Sequence, residues 1–441
     1  MRSSHTLARI ETTFDEDNLV PNAGLLAPAA LAQKLGIAEL VDEHVKLPAD
    51  AVGRANSGTK AMTVIGAMLA GGDSIADVDV LRTGAAPELF DRTRAPSTIG
   101  TWLRGFIWAT VRMLDKVSRE LLARAWAAGL GPDLDGDLTV DFDSTICQVF
   151  GVAKQGARYG YTKVRGYHPL LATLAGTGEV LHARMRGGNA GAARGAGTFV
   201  RETIRRIRDA GATGTLTIRA DSAFYSRAFV AACHSHGASF SVTVRLNPAI
   251  RRAIAAIPDD AWVPIPYWLD SGADVAETTY TAFKGTRDQI QLRLIVRRVR
   301  PTPGSQLALD VVFDHHAILT NRHGKMLAIE ADHRRHAVVE LAIRDLKAGG
   351  LAHVPSGKFT ANAAWLALAV LAHNLGRWTL KAAGPGWQDA TTETLRTKLV
   401  SMPARLVHSA RRLKLRAPTN WPWRDAFDTA LARIAAIPAP T

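Results

Sequence analysis

The sequence predicts an α/β protein: a mixed sheet with helices on its faces, extended by a β-strand insertion and preceded by a helical N-terminal region. Three observations predict this. Apolar residues recur at helical spacing through residues 1–130. Past a Gly/Asp/Pro-rich boundary at 129–137, short apolar runs alternate with amphipathic stretches, as in a sheet with crossover helices. Residues 246–325 then alternate polar and apolar side chains, the period-2 pattern of antiparallel strands.

The elements follow in order. Residues 25–28 lead into a helix at 29–40. A second apolar helix at 60–70 is stopped by Gly71-Gly72-Asp73, and a third covers 77–82. Pro96-Ser97-Thr98 offers an N-cap before a helix at 99–106 and a longer one through 125. Ser97 to Arg104 fits either the second helix of a helix-turn-helix or a plain packing helix. Strands are expected at 138–142, 170–174, 180–185, 216–220 and 240–244, with helices at 198–210 and 227–236. The last two strands are joined through a helix, as in βαβ units, so the sheet is mixed. Strands at 277–283, 290–297 and 309–313 make the insertion. A long helix at 330–348 and a buried helix at 360–380 come next, and 381–441 reads as a basic helical region. Five segments result: 1–130, 131–245, 246–325, 326–380 and 381–441.

Composition narrows the function. With 54 Lys and Arg against 40 Asp and Glu, the chain carries a formal charge of +14. A chain this basic and 47% apolar is expected to fold around a real core and to meet a polyanion, nucleic acid first. Two cysteines, Cys147 and Cys233, leave no disulfide framework and no cysteine-based zinc site. That cysteine usage suits a reducing cytoplasm, and no signal peptide and no membrane span are expected. No G-x-x-x-x-G-K-[ST] loop is present, so ATP hydrolysis is not indicated.

Three acidic residues stand out. Asp143 ends the run Leu138-Thr139-Val140-Asp141-Phe142-Asp143, and Asp221 ends Leu216-Thr217-Ile218-Arg219-Ala220-Asp221. Each is followed by a serine. Strand ends are where α/β sheets gather their ligands, although a turn or cap aspartate looks the same in sequence. Asp141, two residues before Asp143, points to the same face and competes with it. The third is Glu340. It shares a helix face with His333, His336 and Lys347, because steps of three, four and seven residues return to one side. Val338, Val339, Leu341, Ile343 and Leu346 are expected to pack the other faces. His333, His336 and Glu340 could instead form a zinc site, but the spacing is not His-Glu-x-x-His. Two strand-end aspartates and a helical glutamate suit two Mg²⁺ ions, hard cations that take oxygen ligands, and Mn²⁺ can substitute. Such a pair drives in-line phosphoryl transfer. Arg344 and Lys347 would neutralise phosphate charge, with the histidines as polar contacts on a nucleic-acid face.

Val140-Asp141-Phe142-Asp143-Ser144-Thr145, Ala220-Asp221-Ser222-Ala223-Phe224-Tyr225 and the Glu340 helix, in that order, resemble the DDE transposases of bacterial insertion sequences. More narrowly, the chain resembles the group 1 branch with a Tyr-x2-Arg-x3-Glu-x6-Lys signature and a β insertion before the glutamate helix. The segment from Asn18 to Leu40 and the run Ala361-Asn362-Ala363-Ala364-Trp365 are similar too. The resemblance covers most of residues 10–380. It implies an RNase H-like catalytic domain, two Mg²⁺ ions held by Asp143, Asp221 and Glu340, and cut-and-paste chemistry at terminal inverted repeats. Lys347 takes the signature lysine position. His333 and His336 stand where the signature has Tyr and Arg. Double-stranded DNA is the expected partner, held by the N-terminal helices and the basic C-terminal region largely through phosphates, with no membrane partner. Two element ends must be held together, so a homodimer on DNA is expected, in a bacterial, nucleoid-associated setting. Two alternatives stay open: a non-catalytic DNA-binding regulator of transposase descent, and an RNase H-like nuclease without strand transfer.

Overall fold

Two parallel strands that end at aspartates form the middle of the sheet. In the computed structural model, which describes residues 4–267, 272–300 and 313–438, these are β1 (Leu138–Ser144) and β4 (Leu216–Ala220). Around them lie β2 (Leu170–Leu174), β3 (Val180–Arg184) and β5 (Ser239–Val244), then β6 (Val263–Ile265), β7 (Ala273–Ala282), β8 (Ile290–Val299) and β9 (Asp314–Thr320). The nine strands run in the order β6-β7-β8-β9-β5-β4-β1-β2-β3. β1 is parallel to β4 and β4 to β5, while β1–β2 and β2–β3 are antiparallel. All five strands expected between 138 and 244 are present within a residue or two.

The insertion continues this sheet. β9 pairs antiparallel with β5, bringing Ala317 opposite Val244, and the hairpin β7–β8, ten residues in each strand, carries the sheet outward. The strand expected at 309–313 lies outside the described residues except for Phe313. β9, which joins the insertion to the core, was not anticipated. Another missed feature is a small three-stranded sheet between β1 and β2, formed by residues 147–148, 158–159 and 165–167.

The helices are α1 (Leu26–Leu35), α2 (Ile37–His44), α3 (Ser57–Leu69), α4 (Pro96–Arg104), α5 (Trp108–Ala127), α6 (Ala196–Asp209), α7 (Arg227–Ser235), α8 (Pro248–Ala255), α9 (Met326–Arg334), α10 (Val339–Lys347), α11 (Phe359–Ala383) and α12 (Arg424–Ala436). The helix expected at 29–40 is divided in two. Gly36 adopts a left-handed φ of 69°, which a glycine takes at little cost and which ends α1. The segment at 77–82 is 3₁₀ rather than α. In α4, Ile99, Trp102 and Leu103 are buried, so the helix packs through that face. One hydrophobic cluster runs from Leu25 to Ile437, so the N-terminal helices share their core with the sheet. α11 is its axis, apolar on nearly every face and packed against α1, α3, α5, α12 and β3.

The region 381–441 departs from the all-helical expectation. Residues Ala404–Ser409 and Arg412–Arg416 form a β hairpin, and Leu19–Val20 pairs with its first strand. The cause is legible in Arg412-Leu413-Lys414-Leu415-Arg416, a strict period-2 alternation that suits a half-buried strand rather than a helix.

Candidate active site

Strand alternation sorts the β1 side chains onto two faces. Phe142 turns to one side and meets Phe199, Phe224 and Phe229 edge-on, at centroid distances of 5.6, 6.3 and 6.2 Å. Asp141 and Asp143 turn to the other, beneath α9 and α10. There the two aspartates differ. Asp141 is fully buried and held by both arms of Arg219, with Nε and Nη2 each donating at 2.7 Å to separate carboxylate oxygens. Asp143 is partly open, and its Oδ1 accepts only the Ser144 amide, at 2.6 Å.

Asp221 follows β4 directly. Its Oδ1 accepts the Ala223 amide at 3.0 Å, and its carbonyl oxygen accepts Phe224 N–H at 3.2 Å, a tight turn that aims the carboxylate off the strand end. Glu340 is exposed in the first turn of α10. Burial, with smaller contributions from the negative charges of Asp221 and Glu340, lifts the Asp143 carboxyl to about 6 against the opposing pull of the Ser144 amide and His336. The three carboxylates thus lie within electrostatic reach of one another. Among the described residues, though, no three His, Cys, Asp or Glu side chains are close enough together to hold one metal ion. Charge acts over a longer range than a coordination bond, so both statements hold. The donor set fits a hard divalent cation: all oxygen, all acidic, and one carboxyl raised by burial and by nearby negative charge, which an added positive charge would offset.

The helix expected at 330–348 is interrupted. Residues Arg335–Val338 form a 3₁₀ turn between α9 and α10. His333 precedes the turn, buried, with Nδ1 2.8 Å from Ser241 Oγ and Nε2 2.9 Å from Thr243 Oγ1 on β5. Burial pushes its pKa down to about 3, and the nearby His336 and arginines push the same way. It is a neutral ring with both nitrogens engaged inside the protein, not a group on a nucleic-acid face. His336 stacks parallel to it at 6.2 Å and places Nε2 3.2 Å from the Phe142 carbonyl oxygen. Arg344 and Lys347 are exposed, further along α10. Val339, Ile343 and Leu346 are buried as expected, whereas Val338 and Leu341 are 45% and 48% exposed because the 3₁₀ turn shifts the register of faces.

A family model described as Transposase DDE domain group 1 matches residues 3–439. The chain belongs to that family. Among solved structures it is similar to the piggyBac transposase synaptic complex with hairpin DNA, at 13% identity and a TM-score of 0.37, covering 86% of this chain and 80% of that one. No curated protein matches it.

In this transposase, several residues that hold the site escaped the sequence reading. Arg219 bridges Asp141 to Asp332, donating from Nη1 at 2.6 Å to the carbonyl and at 3.2 Å to the carboxylate, and Arg322 also pairs with Asp332. Glu330, fully buried, takes Arg297 and Arg334. These pairs fasten α9 to the sheet and so set where α10 begins. One signal was available. Parallel strands aligned on Asp143 and Asp221 place Asp141 opposite Arg219, two residues earlier in each, and that is the observed register. His168 was also missed. It is buried, its Nδ1 lies 2.7 Å from the Ala190 carbonyl oxygen, and the Asp221 charge raises its pKa against the stronger lowering by burial.

Proposed function

We propose that the chain is a DNA transposase that cleaves and joins strands at the terminal inverted repeats of an insertion sequence. One observation carries this: Asp143, at the end of β1, feels the charges of Asp221 and Glu340, which come from two other elements. Strand order supports an RNase H-like core, since β3-β2-β1-β4-β5 has three antiparallel strands on one side and two parallel ones on the other.

Asp143, Asp221 and Glu340 would hold two Mg²⁺ ions. When bound, these would polarise the scissile phosphodiester and offset the charge that builds on the attacking and leaving oxygens. Asp143 would bind as the ionised carboxylate, the form that a cation favours. Asp141 stays out of this role because Arg219 already satisfies both of its oxygens. His333 positions rather than binds: its bonds to Ser241 and Thr243 tie the end of α9 to β5. Arg344 and Lys347, exposed on α10, can meet phosphates flanking the cut.

The test is Glu340→Gln, assayed for Mg²⁺-dependent cleavage of DNA carrying the element's own ends. The expected result is loss of cleavage by at least a hundredfold with end binding retained. Full activity in that variant would remove Glu340 from the site. The histidines at the signature Tyr and Arg positions favour a second reading, a DNA-binding regulator without catalysis. That reading expects end binding by the wild-type chain and no metal-dependent nick.

A further inference from the structure

We infer that the C-terminal hairpin, Ala404–Ser409 with Arg412–Arg416, is a basic β ribbon that grips the phosphate backbone of duplex DNA. The inference rests on the reading of the chain as a DNA-acting protein and adds an element that lies outside the catalytic carboxylates. Pairing fixes the two faces of the ribbon. Arg405 lies opposite Arg416, Val407 opposite Lys414 and Ser409 opposite Arg412, so four cationic side chains share one face. The opposite face carries Ala404, Leu406 and Leu415, which pack on Val20, Ala85 and Ala86 in a small core of their own. That face is therefore covered along Ala404, Leu406 and Leu415, while His408 and Leu413 near the turn stay exposed, and the basic side is left to solvent.

The charges on that outer face are unspent. Arg405 pairs with Glu16 at 3.1 Å. Among the described residues, Arg411, Arg412, Lys414 and Arg416 have no carboxylate partner, and all four are exposed. Arg412, Lys414 and Arg416 recur every two residues, about 6.8 Å along a strand.

The turn adds a second, independent observation. The hairpin closes on Ala410 and Arg411, both left-handed, with φ of 49° and 61°. Two-residue turns of this hand normally take Asn-Gly, because a Cβ is strained there. Here the strained position carries an arginine, Arg411, exposed at the tip of the hairpin. Strained backbone of this kind clusters at ligand-contacting sites. Tip and face together offer four free cations on a short, stiff, two-stranded blade, a shape known to dock against DNA grooves.

The full-length chain is measured in chelator, so that no cleavage intervenes. Binding of a fluorescein-labelled duplex of about 20 bp, close to two helical turns, is followed by anisotropy across a salt series. Each lost phosphate contact lowers the slope of log affinity against log salt by about 0.9. The triple variant Arg412→Gln/Lys414→Gln/Arg416→Gln is expected to lose roughly 2–3 from that slope and to bind at least tenfold more weakly at 0.1 M salt. Arg412→Lys/Arg416→Lys, which keeps the charge, is expected to keep the wild-type slope. Should the triple variant fold poorly by thermal melting, Lys414→Gln alone is expected to lower the slope by about 0.9. An unchanged slope in either Gln variant overturns the proposal. So does wild-type binding to phosphatidylserine vesicles as tight as to duplex DNA and lost in the same variant. A wild-type chain that never cuts DNA would defeat the transposase reading and leave this result standing.

Discussion

Asp143 keeps its charge at the expense of the metal-free fold. Its carboxyl moves from an ordinary value of 3.8 up to about 6, chiefly through burial. An acid whose folded pKa is raised favours the folded state while it is protonated. That contribution is complete below about pH 4 and is lost as pH rises through about 6. In chelator at pH 8, Asp143→Asn should therefore stabilise the protein by an amount on the order of 2–3 kcal/mol. Asparagine keeps the acceptor for the Ser144 amide. The gain should fade toward pH 4, read as the difference in melting temperature between variant and wild type across that range. A gain that is the same at pH 4 and pH 8 would place its origin elsewhere. Arg219 behaves in the opposite way. Replacing it with Leu strands two carboxylates, one of them fully buried, and should cost about 3–5 kcal/mol by chemical denaturation. Adding Asp141→Leu should recover part of that loss, because the buried charge goes with it.

At the level of elements, the sequence read best where one physical pattern ruled. β2 and β4 fall where their apolar runs put them, and Asp143 and Asp221 sit at strand ends as expected. The reading failed where a local rule gave way to a tertiary one. The polar stripe on the glutamate helix assumed an unbroken 3.6-residue period. The 3₁₀ turn at Arg335–Val338 breaks it, so His333 is driven into the sheet while Glu340 faces out. Ser241 and Thr243 cause this burial, and no spacing rule points from position 333 to a strand ninety residues earlier. The ion pairs of Glu330 and Asp332 were hidden for the same reason. Charged residues on a helix usually signal solvent, and here three arginines from β4, β8 and the loop before α9 turn them inward. The C-terminal hairpin was legible in its alternation but was masked by its charge.

For the molecule as a whole, α11 decides stability. It touches the N-terminal helices, the sheet edge and α12 at once, and Trp365 is fully buried within it with its indole N–H donated to the Gly350 carbonyl. Trp365→Ala should cost about 3–5 kcal/mol. Because the core is one cluster, helical and sheet signals should fall together in urea rather than in two steps. Two separate transitions would mean that the helical region and the sheet fold independently.

The N-terminal segment has a further consequence, concerning synthesis. The Asn18 carbonyl oxygen accepts the Leu406 amide and the Ala23 amide reaches the Met402 carbonyl oxygen, at 2.8 and 2.9 Å. Gly24 presses so close to the Leu399 carbonyl that a Cβ there would sit 1.7 Å from its oxygen. Lys34 reaches the Ile437 carbonyl at 2.7 Å. Residues 18–34 are thus clasped by residues 399–437. During translation α1 and the segment before it must wait, partners missing, until residues 399–437 have left the ribosome. A product terminated before residue 399 would leave them unclasped and open to proteolysis, so chains lacking that clasp would be cleared before they could act.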